Sequence, residues 1–216
     1  GGIENGVSVY EGHYFFLPLW DSSFSPLSHT PGVIDWFTII IGVIAVVTIA
    51  IHGANWIVLK TNSTINNKLK STIFNLNILL VVLTVFSLIV WQIVNPNSLN
   101  NFIDKPYLLL FPMLYLTGLF GLFFIKKFKK EVYGFIMSTL LILGGITSSL
   151  ASLFPVLLPS TNNVNESLTI YNTATTAYGL SIGLGWGVFG FILVIVYVII
   201  QKKFLGGKID EMDYGH

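Results

Sequence analysis

The chain has 216 residues, of which 53% are hydrophobic and 10% charged, with a formal net charge of +1 and no cysteine. A soluble domain carries about 25% charged residues. This chain lacks the polar surface to cover itself in water, so its composition predicts an integral membrane protein. The absence of cysteine excludes disulfides, cysteine-ligated zinc or iron–sulfur sites and thiolate catalysis, and no basic patch indicates a nucleic-acid partner.

The first 32 residues contain no long apolar run, and we expect an N-terminal segment that lies outside the membrane. The sequence opens at Gly1, and we expect it to begin inside a longer protein. Residues 33–204 are predicted to form the membrane domain, and residues 205–216 a cytoplasmic tail.

Five runs in the membrane domain are long and apolar enough to cross about 30 Å of hydrocarbon, which takes about 20 residues. Backbone groups in lipid must hydrogen-bond internally, so each run is predicted to be a helix. The runs do not alternate between polar and apolar residues, which argues against a β-barrel. The predicted spans are 33–59, 73–94, 107–125, 133–158 and 178–201.

The lysines predict the orientation of these spans. Ten of the eleven basic residues lie in segments 60–72 and 126–132 and after residue 201, whereas Lys105 lies in the other set of loops, beside Asp104. Loops rich in lysine face the cytoplasm. The sequence therefore predicts a cytoplasmic C-terminus and an external N-terminus.

His52 is the main candidate for chemistry because it is the ionisable residue placed deepest in a span. Buried ionisable groups in membranes are costly and often functional. The favoured interpretation is a neutral imidazole that hydrogen-bonds to a neighbouring helix. Proton relay, ligand contact and haem ligation remain alternatives, although a haem with two protein ligands needs a second one on a facing helix. No residue is assigned a catalytic, cofactor-binding or metal-binding role.

Amide side chains within the spans are predicted to hydrogen-bond across helices. They are Asn55, Asn75, Asn77 and Gln92.

Gly179, Gly183 and Gly187 recur at every fourth position of the last span. Glycines at this spacing line one face of a helix and allow another backbone to approach closely. We predict helix packing on this face, with a partner either in this chain or in another. Gly144 and Gly145 in the fourth span permit similar contact.

Two prolines, Pro155 and Pro159, close the fourth span. Pro155 removes a helical hydrogen bond, and Pro159 disfavours helical backbone at the residue before it. We expect Pro155 to bend the helix and Pro159 to end it at the outer interface. The freed carbonyls are expected to bind water or another chain.

Several segments resemble, in order, subunit II of cytochrome bd-type quinol oxidases. They are "LWDSSFSP" (19–26), "HGANWIVLKTN" (52–62), "FPVLLPS" (154–160), "NESLTIYNTA" (165–174) and "GGKIDE" (206–211). The resemblance covers nearly the whole chain and is similar to the C-terminal half or more of that subunit.

The resemblance implies a component of a quinol:oxygen oxidoreductase complex in a prokaryotic inner membrane. The implied partner is subunit I, which carries the haem groups, oxidises quinol and reduces dioxygen to water. Small accessory membrane subunits and membrane lipid are further expected partners. Subunit II carries no haem ligand in the family pattern, so no cofactor is expected on this chain alone.

We therefore predict an all-α membrane protein with five transmembrane helices, four packed as a bundle and one peripheral. Its predicted role is to support the haem-bearing subunit. A fragment of a secondary transporter or permease is the main alternative, and a membrane scaffold of another kind is a third. Proton-coupled transporters place carboxylates near the midplane, whereas the carboxylates nearest the spans here, Asp35, Asp104 and Glu131, lie at their edges.

Overall fold

The computed structural model describes residues 2–4, 7–9, 34–62, 64–158, 167–205, 207 and 209–210. The helices in this part of the chain are α1 Trp36–Lys60, α2 Ile65–Val94, α3 Asn100–Asp104, α4 Leu110–Gly121, α5 Val132–Leu153 and α6 Ala177–Leu205. Two 3-10 segments, Pro106–Leu109 and Leu122–Lys127, extend α4 at its ends. The strands are β1 Gly2–Glu4, β2 Val7–Val9, β3 Thr61–Asn62, β4 Val156–Leu158, β5 Leu168–Thr169 and β6 Ile209–Asp210.

Five helical segments are long and apolar enough to cross a membrane, as predicted. They are α1, α2, the continuous segment Pro106–Lys127, α5 and Ala177–Gln201 of α6. The second span departs most from its predicted bounds, and it does so at its start. The prediction begins this span at residue 73, whereas α2 begins at Ile65. Lys68 and Lys70 therefore lie on the first turns of a helix and not in a loop.

The fourth span ends earlier than predicted. α5 stops at Leu153, and Phe154 has φ −53° and ψ 136°, which is the extended backbone that a following proline favours. Pro155 therefore ends the helix and does not merely bend it. Val156–Leu158, predicted as helix, form β4, which pairs antiparallel with β5. Pro159 lies outside the described residues.

Four spans pack around one hydrophobic core, which confirms the predicted bundle. The two largest contacts pair α4 with α5 and α1 with α2, and α1 also packs on α5. An i, i+4 stripe of α1, Val47, Ile51 and Asn55, faces inward. The buried apolar side chains of the core are Val47, Ile51, Val58, Ile73, Leu80, Leu119, Leu122, Ile125 and Leu141.

The peripheral helix is α6. None of its described side chains is buried, and Trp186 and Leu184 are each 70% exposed. The chain after α6 returns to the bundle, because β6 pairs in parallel with β3 in the link between α1 and α2. The segment after α6 is thus paired with the α1–α2 link, while the apolar surface of α6 remains exposed.

Candidate functional site

His52 lies on the side of α1 that faces α5. Its Nδ1 is 2.9 Å from Ser138 Oγ, and its ring lies 4.7 Å from the ring of Phe135, centroid to centroid. The Ser138 hydroxyl donates to the Phe135 carbonyl oxygen at 2.9 Å. The direction of the bond between His52 and Ser138 depends on the tautomer of the imidazole. The contact joins α1 to α5, as the favoured interpretation expected.

His52 is partly exposed, although the sequence suggested a buried position. The residue follows Ile51, whose side chain is fully buried. Successive residues of a helix point about 100° apart. His52 therefore lies at the edge of the buried stripe and not within it. A role for His52 in proton or ligand chemistry stays a prediction.

Three spans meet at Asn66, a buried residue near the start of α2. Its Nδ2 donates to the Thr61 carbonyl oxygen at 2.8 Å and, at 3.5 Å, to Glu131 Oε1 at the start of α5. Thr61 Oγ1 donates to Asn66 Oδ1 at 2.8 Å. Lys70 Nζ lies 3.8 Å from the same Glu131 oxygen. One amide thus holds the α1–α2 link against α5, while the partly exposed ion pair adds little.

Asn77 links α2 to α4 by donating from Nδ2 to the Leu119 carbonyl oxygen at 2.9 Å. The backbone changes from α-helix to 3-10 helix at Leu122. In a 3-10 helix each N–H bonds the carbonyl three residues back, so one carbonyl at the junction has no backbone N–H to accept from. Asn77 supplies a donor to such a carbonyl. The predicted interhelical role is confirmed for Asn77.

The same role is wrong for two other amides. Asn55 donates within its own helix to the Ile51 carbonyl oxygen, because its side chain lies one turn below that group. Gln92 donates to the Pro96 carbonyl oxygen in the turn that follows its own helix. Asn75 is exposed.

Asn101, a residue of α3, donates to the backbone carbonyls at the end of α5, where Pro155 ends the helical hydrogen bonding. Its Nδ2 lies 2.9 Å from the Ala151 oxygen and 3.2 Å from the Ser152 oxygen, and it also contacts the Phe154 oxygen. Ala151 is the residue whose carbonyl would have bonded a nitrogen hydrogen at position 155. These carbonyls bond a side chain of the same molecule, a donor that the sequence did not suggest.

The closest helix packing is between α4 and α5. A Cβ on Gly118 would lie 2.5 Å from the Met137 carbonyl oxygen and 2.6 Å from the Leu141 nitrogen. A Cβ on Gly144 would lie 2.7 Å from the Tyr115 Cα. The predicted close contact at Gly144 is present, whereas Gly118 was not singled out by any repeat.

The glycines of α6 meet no other helix among the described residues. A Cβ on Gly183 or Gly187 would have no atom within 4 Å, and one on Gly179 would meet Thr175, just before the helix. A contact of this face with another chain stays a prediction. Within the described residues, no cluster of three or more His, Asp or Glu side chains could hold a metal ion.

These features define a multi-pass α-helical membrane protein in which polar side chains join the spans. Residues 1–203 match the family model for cytochrome bd terminal oxidase subunit II. The chain belongs to this family. A curated relative from Haemophilus influenzae, described as "Probable cytochrome oxidase subunit 2", is 22% identical over an alignment of 200 residues, and the match covers 81% of this chain and 53% of the relative. The chain thus spans about half the length of that curated relative.

Proposed function

We propose that this chain is part of the non-haem subunit of a respiratory terminal oxidase that oxidises quinol and reduces dioxygen to water. The match of residues 1–203 to the subunit II family carries the proposal. Its proposed role within that complex is to support and stabilise the haem-bearing subunit.

The haem groups, in this proposal, belong to a partner subunit. His52 is the one histidine within the described spans, and a haem with two protein ligands needs a second one on a facing helix. The glycine face of α6, which meets no other described helix, supplies a surface for the partner. Small accessory membrane subunits are further candidates for the same surface.

The proposed location is a prokaryotic inner membrane, with the C-terminus of this segment in the cytoplasm. The ends of spans that carry lysine support this orientation: Lys60 ends α1, Lys126 and Lys127 end the third span, and Lys203 lies near the end of α6. A reporter fused after His216 is expected to be cytoplasmic, and one inserted between residues 160 and 167 to be external. Labelling of Lys129 by a membrane-impermeant reagent in intact cells would contradict the orientation.

The function is tested with the full-length subunit, tagged and purified from its native membrane under mild detergent. We expect a haem-containing partner to co-purify and the eluate to consume oxygen when quinol is added. A strain that lacks the subunit is expected to lose that activity and to regain it from a plasmid copy. Purification without any haem protein, together with unchanged quinol oxidase activity in the deletion strain, would contradict the proposal.

A further inference from the structure

An open apolar groove of about 650 Å³ runs along the third span, on the side that faces away from the core. Its volume is within the roughly 300–1,000 Å³ of small-molecule sites. Large exposed side chains line it, including Met113, Leu116, Phe120 and Phe124. These residues are spaced three or four apart and so form one face of the helix. Met137 of α5 and Phe128 complete the walls.

The groove follows the span from its middle to its inner end. Met113 and Phe124 are separated by roughly 16 Å along the helix axis at 1.5 Å per residue. This distance is about half the 30 Å thickness of the hydrocarbon region. An occupant of the groove would therefore lie along one leaflet.

The inner end of the groove carries positive charge. Lys127 Nζ lies 5.8 Å from the centre of the Phe124 ring, which is itself part of the groove wall. Lys129 and Lys130 follow in the exposed turn. The next carboxylate, Glu131, is within reach of Lys70 and Asn66 on the α2 side. Among the described residues, no carboxylate forms a salt bridge with Lys127.

The neighbouring Lys126 points elsewhere. Its Nζ lies over Phe74 of α2 and 3.5 Å from Ser71 Oγ, on the opposite side of the third span. The two lysines are equally charged and adjacent in sequence, but they serve different surfaces. They provide a matched pair for an experiment.

We propose that the groove binds one anionic phospholipid, with its phosphate at Lys127 and an acyl chain along Phe124, Phe120 and Leu116. A basic residue at the membrane surface attracts anionic headgroups, and basic pockets between spans bind them selectively. Methionine side chains adapt to irregular apolar partners, and Met113 and Met137 line the groove. Closely packed membrane helices prefer small residues at the contact. Phenylalanine and methionine line most of this surface. The residues that line the groove therefore favour a lipid chain over a helix as its occupant. The proposal does not depend on the oxidase assignment.

The test uses the full-length subunit, in whatever complex it purifies, reconstituted in nanodiscs of phosphatidylglycerol and phosphatidylcholine. Lipid retained after detergent extraction is counted by native mass spectrometry. We expect one phosphatidylglycerol to be retained in preference to phosphatidylcholine. Lys127→Gln should reduce its retention about fivefold, the order expected when one lysine is lost from a lipid surface. Lys126→Gln should leave retention unchanged.

Leu116→Trp provides a second, steric test, because the larger ring would fill the groove from an exposed position. We expect this variant to lose the retained lipid while the complex keeps its thermal stability. Equal retention of the two lipids, equal loss in both lysine variants, or retention unaffected by Lys127→Gln and Leu116→Trp would overturn the proposal. A photo-crosslinker placed at Phe120 that captures a protein segment instead of lipid would also overturn it.

Discussion

Gly118→Ala tests the close packing of α4 against α5. The new Cβ would lie 2.5 Å from the Met137 carbonyl oxygen and 2.6 Å from the Leu141 nitrogen, whereas ordinary contact begins at 3.4 Å. Both neighbouring atoms belong to backbone, so the helices must separate by about 0.9 Å at the closest contact. Overpacking costs about 1–3 kcal/mol, and rigid backbone on both sides places this case near the upper value.

Alanine offsets part of that cost, because it favours helix over glycine by about 1 kcal/mol. The net destabilisation is therefore about 2 kcal/mol, which corresponds to a Tm lower by about 4–8 °C for a domain of this size. Thermal unfolding of the purified complex in detergent, followed by tryptophan fluorescence, measures the change.

Gly53→Ala is the matched control, because a Cβ on Gly53 of α1 would have no atom within 4 Å. Its Tm should stay the same or rise by about 2–4 °C, as the helix preference of alanine alone predicts. If Gly118→Ala gave the same Tm as this control, the α4–α5 contact would be looser than the structure shows and the reasoning would fail.

Three further predictions concern the other sites. Asn101→Ala should lower the free energy of unfolding by about 1–3 kcal/mol, because it leaves the α5 carbonyls without their donor. Asn100→Ala is the control, and equal denaturation midpoints in the two variants would contradict the role. His52→Ala should leave the Soret absorbance per complex unchanged, and its loss would show that His52 ligates haem. Gly183→Leu should leave the folding of this chain intact but weaken co-purification with the partner, and more so than Gly190→Leu. Unchanged pairing in Gly183→Leu would mean that this glycine face contacts lipid.

The fold was largely readable from the sequence because lipid leaves the backbone few choices. A run of about 20 apolar residues in a membrane has to be helical, since each unpaired N–H or C=O in hydrocarbon is costly. The five spans and the peripheral position of one helix follow the prediction. The family was also recognisable, because segments such as "HGANWIVLKTN" at 52–62 keep their order along the chain.

The packing was less readable, because the spans are apolar on most sides and a periodic pattern does not say which face meets a neighbour. Glycine repeats pointed to α6, whose glycines meet no other described helix, while Gly118 makes a closer approach without belonging to any repeat. A glycine contributes to helix packing only where the fold places another backbone against it.

The sequence by itself determined that the described part of this chain has five helices long and apolar enough to cross a membrane, because hydropathy and length are properties of each segment alone. It also placed the end of α5 near its prolines, since a proline removes a hydrogen-bond donor in any context. The tertiary structure alone decided which donor replaces it. Asn101 is 50 residues away from Ala151 along the chain, and such a hydrogen bond exists only because folding brings α3 against the end of α5.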